Sequence, residues 1–127
     1  MRVVLQSEAN ECGLACVAMI ASAHGLHTDL AELRRRFQVS LKGATLDQLI
    51  RHAEIIGFAA RPLRLELDEL TELVTPCVLH WDLNHFVVLK RVSRDQATIL
   101  DPAFGERILP LSTVSGSVRI SVCEAVC

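Results

Sequence analysis

The sequence predicts an α+β fold in which helices come first and an antiparallel sheet follows. Apolar residues recur at helical spacing as far as residue 56, and from Phe58 onward their period changes toward that of strands. Turn residues then separate several short apolar segments. Half of the 127 residues are apolar, which is enough for one core, so we expect a single domain over residues 1–127.

Helical spacing and cap signals predict three helices and a short fourth one, over residues 12–23, 29–37, 46–56 and 68–73. Gly25 suits a left-handed cap at the end of the first helix. Asp29 with Glu32 resembles a capping arrangement at the start of the second helix, and Thr45 with Gln48 repeats it before the third.

Six strands are predicted in the second half of the chain, near residues 59–65, 77–80, 86–92, 97–100, 107–110 and 118–122. Turn signals at Pro76, Asp101-Pro102, Gly105 and Gly116 separate several of them. The N-terminal helices are expected to pack on the antiparallel sheet that these strands form.

A Cys-Gly pair opens the first predicted helix. Unpaired amide N–H groups and the dipole at a helix start stabilise a thiolate, so Cys12 is a candidate nucleophile. Cys12 and Cys16 lie one turn apart, however, and by themselves they fit two small core residues equally well. Zinc binding by these cysteines and the histidines is a weaker alternative, because Cys-x3-Cys lacks a matching downstream ligand pair. We expect no metal.

Two later segments favour the nucleophile. HWDLNHFVVL, residues 80–89, has a histidine at the head of an apolar strand, and ILDPAFGER, residues 99–107, has an aspartate where another strand ends. Cysteine hydrolases on the papain-like plan take the nucleophile from a helix start and the base with its orienting group from a downstream sheet. His80 and Asp82 are alternatives by composition. His85 is preferred because it abuts the strand, whereas His80 is expected where the preceding strand runs out into a loop.

At these motifs the chain resembles the C39 peptidases, the N-terminal cysteine protease domains of bacterial ABC exporters that process double-glycine leader peptides. The resemblance covers nearly the whole chain. It rests on a glutamine five residues ahead of an acid-Cys-Gly-x-Ala-Cys block, on the His-Phe-Val-Val-Leu strand, and on Asp-Pro-Ala with a glycine two residues later. One departure is Glu11, where the family more often has Asp.

The resemblance implies a papain-like fold and four catalytic roles: nucleophile Cys12, general base and acid His85, imidazole-orienting Asp101 and oxyanion donor Gln6. The chemistry supports these roles, because attack on a peptide carbonyl needs a thiolate, a proton carrier for the leaving amine and donors for the developing oxyanion. The Cys12 backbone N–H is expected to be the second oxyanion donor.

Trp81 and Asn84, beside the proposed base, are candidates for lining the substrate cleft. Ordinary packing at a sheet edge is an equal alternative for Trp81. His24, His27 and His52 are interpreted as surface or helix-end residues without a functional role.

The resemblance also implies the substrate and the partners. Family members cut after a Gly-Gly pair that ends an N-terminal leader, so the expected partner is a precursor peptide with an amphipathic leader helix and that junction. The other implied partners are the transmembrane and nucleotide-binding domains of the same exporter. The latter would use ATP; this domain has no phosphate-binding glycine loop and is expected to need no cofactor.

Composition limits other functions. The net charge of −2 offers no field for nucleic acid, and the triplet Arg34 to Arg36 is interpreted as a solvated helix face or helix end, with contact to lipid or a neighbouring domain as the alternative. No signal peptide opens the chain, and no apolar run reaches the roughly 20 residues that span a bilayer, so the domain itself is expected to be soluble. The resemblance implies that it lies at the cytoplasmic face of the bacterial inner membrane. Five cysteines without a CxxC pair argue against a disulfide framework.

Two other functional classes stay open from the sequence. Related exporters carry a domain of this shape that docks cargo without cleaving it and typically lacks the nucleophile, so the presence of Cys12 argues against this class. An amidase, transglutaminase or isopeptidase would share the Cys-His-Asp set without requiring Gly-Gly, and only substrate profiling separates these enzymes.

Overall fold

The computed structural model describes residues 2–38, 43–63, 75–81 and 85–126. Over these residues the chain forms a 3₁₀ turn, four α-helices and six strands, and the predicted α+β class is confirmed. The turn is Ala9–Glu11, and the helices are α1 (Cys12–Ala23), α2 (Leu30–Arg36), α3 (Leu46–Ile55) and α4 (Leu111–Ser117). The strands are β1 (Ala59–Leu63), β2 (Cys77–Trp81), β3 (His85–Ser93), β4 (Gln96–Asp101), β5 (Gly105–Pro110) and β6 (Val118–Val126).

Local cap signals define the ends of the first three helices. Gly25, just after α1, has a φ of +85°, the left-handed conformation that glycine adopts without strain. The Asp29 side chain accepts a hydrogen bond from the Glu32 N–H at 2.8 Å at the start of α2. Thr45 and Gln48 form a reciprocal capping box at the start of α3. α1 has its predicted bounds, and α2 and α3 each end one residue before theirs.

α1 lies at the centre of the fold. Residues 12–21 are all buried, because β3 packs on one side of the helix while α2 and α3 contact it from others. A helix that is apolar all round requires such cover. Its side chains form the main core with Leu33 of α2, Leu49 of α3, and Phe86 and Val88 of β3.

The described strands form one six-stranded sheet in the order β1-β6-β2-β3-β4-β5, in which every pair of neighbours is antiparallel. Phe86 and Val88 belong to the core under the helices, whereas Val87 and Leu89 belong to a second core that includes Val114 of α4. Both faces of β3 are therefore covered, which explains the uninterrupted apolar run in its sequence.

The structure differs from the sequence prediction in one helix and at several strand ends; β3 and β5, for example, begin one and two residues earlier than predicted. α4 was not predicted, and Gly116, expected in a turn, lies within it. Its sequence LSTVSGS has weak helix propensity, so packing of Val114 supplies what the local signal lacks. β2 continues one residue beyond its predicted end at His80, and the His80 ring stacks on Phe86 with 4.6 Å between the ring centroids. β6 continues four residues beyond its predicted end. The expected helix at 68–73 lies outside the described residues.

Candidate active site

Cys12 is the first residue of α1 and lies at the edge of the main core. Its side chain is buried, and the residue is 6% exposed. The next residue, Gly13, lets α1 approach α3 closely: a Cβ at this position would lie 2.7 Å from the Leu49 Cδ2 atom. Leu49 is itself fully buried, so it has little space into which to move. The Cys-Gly pair therefore combines a thiol at a helix start with close packing just behind it.

His85 and Asp101 lie beside each other at one end of the β3–β4 pair. β3 begins at His85 and β4 ends at Asp101, and in antiparallel neighbours these two ends meet. The Nε2 atom of His85 lies 2.7 Å from Oδ1 of Asp101. The Asp101 side chain is only 4% exposed and that of His85 is 21% exposed, so the ring stands between the core and solvent.

The Asp101 carboxylate has two further neighbours. Its Oδ1 atom accepts a hydrogen bond from the Ala103 N–H at 2.8 Å, within the turn between β4 and β5. Its Oδ2 atom lies 3.8 Å from the Nη1 atom of Arg107, which belongs to β5. The turn amide shares Oδ1 with His85 while the guanidinium lies near Oδ2, and these contacts restrict the orientation of the carboxylate beside the imidazole.

His85 also makes a hydrogen bond to the Cys12 side chain, which links the sheet to α1. Because Nε2 faces Asp101, Nδ1 is the ring nitrogen that is left for Cys12. The Cys12 hydrogen bond raises the pKa of His85 most, the Asp101 hydrogen bond raises it further, and partial burial opposes both, so that the pKa increases from 6.5 to about 9. An imidazolium at neutral pH is the partner that stabilises a thiolate.

Gln6 reaches this region from the N-terminal segment. Its backbone N–H donates to the carbonyl oxygen of Pro102 at 2.9 Å, directly beside Asp101. Its side chain is partly buried, and the Oε1 atom is buried without a hydrogen-bond partner within the described structure. Such atoms are uncommon in folded proteins and call for a partner from a ligand or solvent. The terminal amide presents both a donor and an acceptor there.

Sequence reasoning missed one ion pair next to the site. The carboxylate of Glu11, the residue before Cys12, is buried and is bound by the guanidinium of Arg34 from α2. Arg34 belongs to the triplet that was interpreted as a solvated helix face or helix end. It does lie in the last turn of α2 and is half-exposed, but its guanidinium also binds this buried carboxylate, whereas Arg35 pairs with the exposed Glu32. No spacing rule links positions 11 and 34, because the contact depends on how α2 packs against α1.

The other candidate residues are placed as follows. Asn84 and Asp82 lie outside the described residues, and the Trp81 side chain is also not described, so the proposed cleft lining stays a prediction. His24 and His27 are exposed, whereas His52 is partly buried and stacks on Phe37. Among the described residues no group of three or more His, Cys, Asp and Glu side chains is arranged to hold a metal ion. In the same part of the chain, no helix has the length and apolar character for a membrane span.

An imidazole held between a cysteine at a helix start and a buried carboxylate on the next strand is the arrangement of cysteine hydrolases on the papain-like plan. Comparison with known protein families shows to which of these cysteine hydrolases the chain belongs. The sequence matches the model of the Peptidase C39 family over residues 1–117, and the chain belongs to this family of cysteine peptidases. This confirms the family assignment made from the three motifs.

Two curated relatives have names that combine processing with transport. The chain is 50% identical over 113 residues to the colicin V secretion/processing ATP-binding protein CvaB of Escherichia coli, an alignment that covers 89% of this chain and 16% of CvaB. It is 30% identical over 112 residues to the transport/processing ATP-binding protein ComA of Streptococcus pneumoniae, covering 84% of this chain and 16% of ComA. The chain thus spans about one sixth of the length of these relatives.

A solved structure supports the same assignment. A double glycine motif protease from an AMS/PCAT transporter, in complex with the leader peptide, superposes with a TM-score of 0.91 at 32% identity, covering 97% of this chain and 89% of that one. The peptidase domain of Streptococcus ComA shares the fold, with a TM-score of 0.89 at 21% identity over 98% and 97% of the two chains.

Proposed function

We propose that this domain cleaves the leader from a secreted peptide precursor after a Gly-Gly pair, with Cys12 as nucleophile, His85 as general base and acid, Asp101 as the orienting group and Gln6 as an oxyanion donor. The contacts of His85 with Cys12 on one side and with Asp101 on the other carry this proposal. The likeness to a double glycine motif protease solved with its leader peptide supports the substrate class.

The geometry is suited to a two-step acyl transfer. The Cys12 thiolate attacks the carbonyl carbon of the second glycine, and the oxyanion is bound by the Gln6 amide and the Cys12 N–H. The protonated Nδ1 atom of His85 gives its proton to the leaving amine, which departs as the N-terminus of the mature peptide. The neutral ring then takes a proton from water, the resulting hydroxide attacks the thioester, and the leader leaves as a carboxylate while Cys12 is regenerated.

Glycine at the junction fits a cleft that is too narrow for a Cβ, and an amphipathic leader helix would dock through apolar side chains on one face. Trp81 and Asn84 stay our candidates for the cleft wall. We further propose that residues 1–127 form the peptidase domain of a bacterial ABC exporter. Its partners would be the transmembrane and nucleotide-binding domains of that exporter, which would use the ATP, and it would lie at the cytoplasmic face of the cell membrane.

The test uses a synthetic peptide with an amphipathic leader and a Gly-Gly junction, incubated with the domain and analysed by mass spectrometry. Cleavage after the second glycine is expected for the wild type, and Cys12→Ala should abolish it. Cys16→Ala is the matched control, because Cys16 lies one turn further along α1, is fully buried and has no assigned role in the chemistry.

Three other results would contradict the proposal in different ways. Binding of the intact peptide by wild type and Cys12→Ala alike would indicate a docking module. Equal cleavage when the two glycines are replaced by alanines would indicate a Cys-His-Asp amidase of another specificity. Equal loss of cleavage in Cys12→Ala and Cys16→Ala would mean that α1 packing, rather than the Cys12 thiol, is required.

A further inference from the structure

Among the described residues, the Glu11 carboxylate is the most enclosed charged group near the site that the mechanism does not use. Its side chain is 5% exposed, and it accepts hydrogen bonds from two backbone amides and one guanidinium. The Oε1 atom accepts hydrogen bonds from the backbone N–H groups of Ser7 at 3.1 Å and Glu8 at 2.9 Å. It also accepts one from Nη2 of Arg34 at 3.1 Å, while the Oε2 atom accepts one from Nε of Arg34. A buried carboxylate needs such partners, because desolvation of an unpaired charge costs more than the fold gains from its packing.

These contacts join three parts of the chain. Glu11 ends the 3₁₀ turn and directly precedes Cys12, its two backbone donors belong to the N-terminal segment, and Arg34 belongs to the last turn of α2. The Arg34 side chain is 48% exposed, so its outer face remains in water while its inner face binds the carboxylate. The pair therefore connects the N-terminal segment to the start of α1, and it holds both of them against α2.

Gln6 lies between two fixed points of this arrangement. On one side its own N–H is bound by the Pro102 carbonyl oxygen, and on the other the N–H of the next residue, Ser7, is bound by Glu11. The carboxylate that holds the Ser7 amide belongs to the residue next to Cys12. The backbone of residues 6 and 7 is thus held on both sides, and the Glu11–Arg34 pair closes the short loop that joins Gln6 to Cys12.

We propose that the Glu11–Arg34 pair is a positioning device for the oxyanion hole, which holds the Gln6 amide and the Cys12 N–H at the separation that the developing oxyanion requires. The inference rests on the proposed function, in which these two groups are the oxyanion donors. Glu11 and Arg34 touch no reacting atom and act through Gln6.

A purely structural role for the pair would have a different signature. Loss of general packing would lower the melting temperature and reduce every reaction of Cys12 together. Loss of positioning reduces only the reactions that build an oxyanion. Alkylation of a thiolate by iodoacetamide displaces iodide at a saturated carbon and forms no tetrahedral oxyanion, whereas peptide cleavage does. The ratio of the two rates therefore separates the roles.

The experiment compares Glu11→Gln and Arg34→Gln with the wild type, and uses Arg35→Gln as the matched control, because Arg35 pairs with the exposed Glu32 on the same helix. For each protein, kcat and KM are measured on the Gly-Gly peptide, and the alkylation rate of Cys12 is followed by mass spectrometry. Glu11→Gln is expected to lower kcat by about 100-fold, the effect of a misplacement of about 1 Å at a catalytic site. KM, the alkylation rate and all values for Arg35→Gln should stay near those of the wild type.

A conservative variant and a double-mutant cycle complete the test. Glu11→Asp keeps the charge opposite Arg34 and should retain more activity than Glu11→Gln. If Glu11 acts through Gln6, adding Glu11→Gln to Gln6→Ala should change kcat by no more than about twofold, because the two effects are not independent.

Additive losses in the cycle, or parallel losses of cleavage, alkylation and melting temperature in Glu11→Gln, would overturn the positioning role while the proposed function stands. Full kcat in Gln6→Ala, with cleavage by the wild type intact, would remove Gln6 from the oxyanion hole and the inference with it. Failure of the wild type to cleave the peptide would instead reject the proposed function itself.

Discussion

The two sides of the candidate site each contain one buried carboxylate, but the carboxylates bind different cations. In the sheet wall, formed by His85 and Asp101, the carboxylate faces an imidazole that can gain and lose a proton. In the helix wall, formed by residues 6–12 with Arg34, the Glu11 carboxylate faces a guanidinium that stays charged at all accessible pH values. Under the proposed function, this difference predicts a division of roles: the sheet wall would carry protons, and the helix wall would hold the thiol and the oxyanion donors in position.

Apart from Cys12→Ala, the largest effect is expected from removal of the proposed proton carrier in the sheet wall. His85→Ala should lower kcat on the Gly-Gly peptide by about 100- to 10,000-fold, the usual contribution of general acid–base catalysis. His80→Ala is the matched control, because His80 lies on the neighbouring strand and stacks on Phe86. Similar losses in the two variants would show that the sheet wall responds to any change of packing, and the proposed division would then fail.

Asp101→Asn is expected to have the next largest effect, with a loss in kcat of about 100-fold, at the low end of the range for acid–base catalysis. Asp101 contributes to the raised pKa of His85, which is about 9, so the variant should have a lower His85 pKa. The alkaline limb of the kcat/KM profile should accordingly move to lower pH. An unchanged limb would mean that Cys12 alone sets the pKa of the imidazole.

The two walls should lose stability at opposite ends of the pH range. The pKa of His85 is higher in the folded state than the ordinary 6.5, so its stabilisation is complete below pH 6.5 and is lost as the pH rises through about 9. Arg34 lowers the pKa of Glu11 below 4.5, so its stabilisation is present above pH 4.5 and is lost at lower pH, as the pH falls through the folded-state pKa. Urea denaturation of wild type, His85→Ala and Glu11→Gln across pH 3–10 measures the two pH ranges in which stability is lost. Loss of both contributions in the same pH range would contradict the expected difference between the two walls.

The smallest effect is expected from Thr45→Ala, which removes the side-chain cap of α3, a hydrogen bond that involves no residue of either wall. It should reduce the free energy of unfolding by about 1 kcal/mol, the usual loss for an N-cap, without changing kcat. The measurement pairs urea denaturation with the cleavage assay. A drop in kcat in Thr45→Ala would show that activity follows overall stability. The loss of kcat in Glu11→Gln would then have to be corrected for its loss of stability.

Local signals in the sequence were sufficient for much of the fold and for the main site candidates. The first three helices have ends that local signals mark, among them the caps at Asp29 and Thr45 and the left-handed Gly25, because capping and left-handed backbone depend on a few adjacent residues. Motif order also singled out the cysteine, histidine and aspartate that the fold brings together. α4 was missed because its helix depends on Val114 packing against the sheet rather than on propensity.

By itself, then, the sequence determined the class of fold and the family and singled out the candidate catalytic residues, since these follow from periodicity, caps and motifs that are local in the chain. Tertiary structure alone decided what surrounds them. The raised pKa of His85 requires Cys12 and Asp101 on either side of one ring. The ion pair that closes the loop between Gln6 and Cys12 requires α2 to bring Arg34 to Glu11. Electrostatic interactions depend on distance in space and on burial, and neither can be read from separation along the chain.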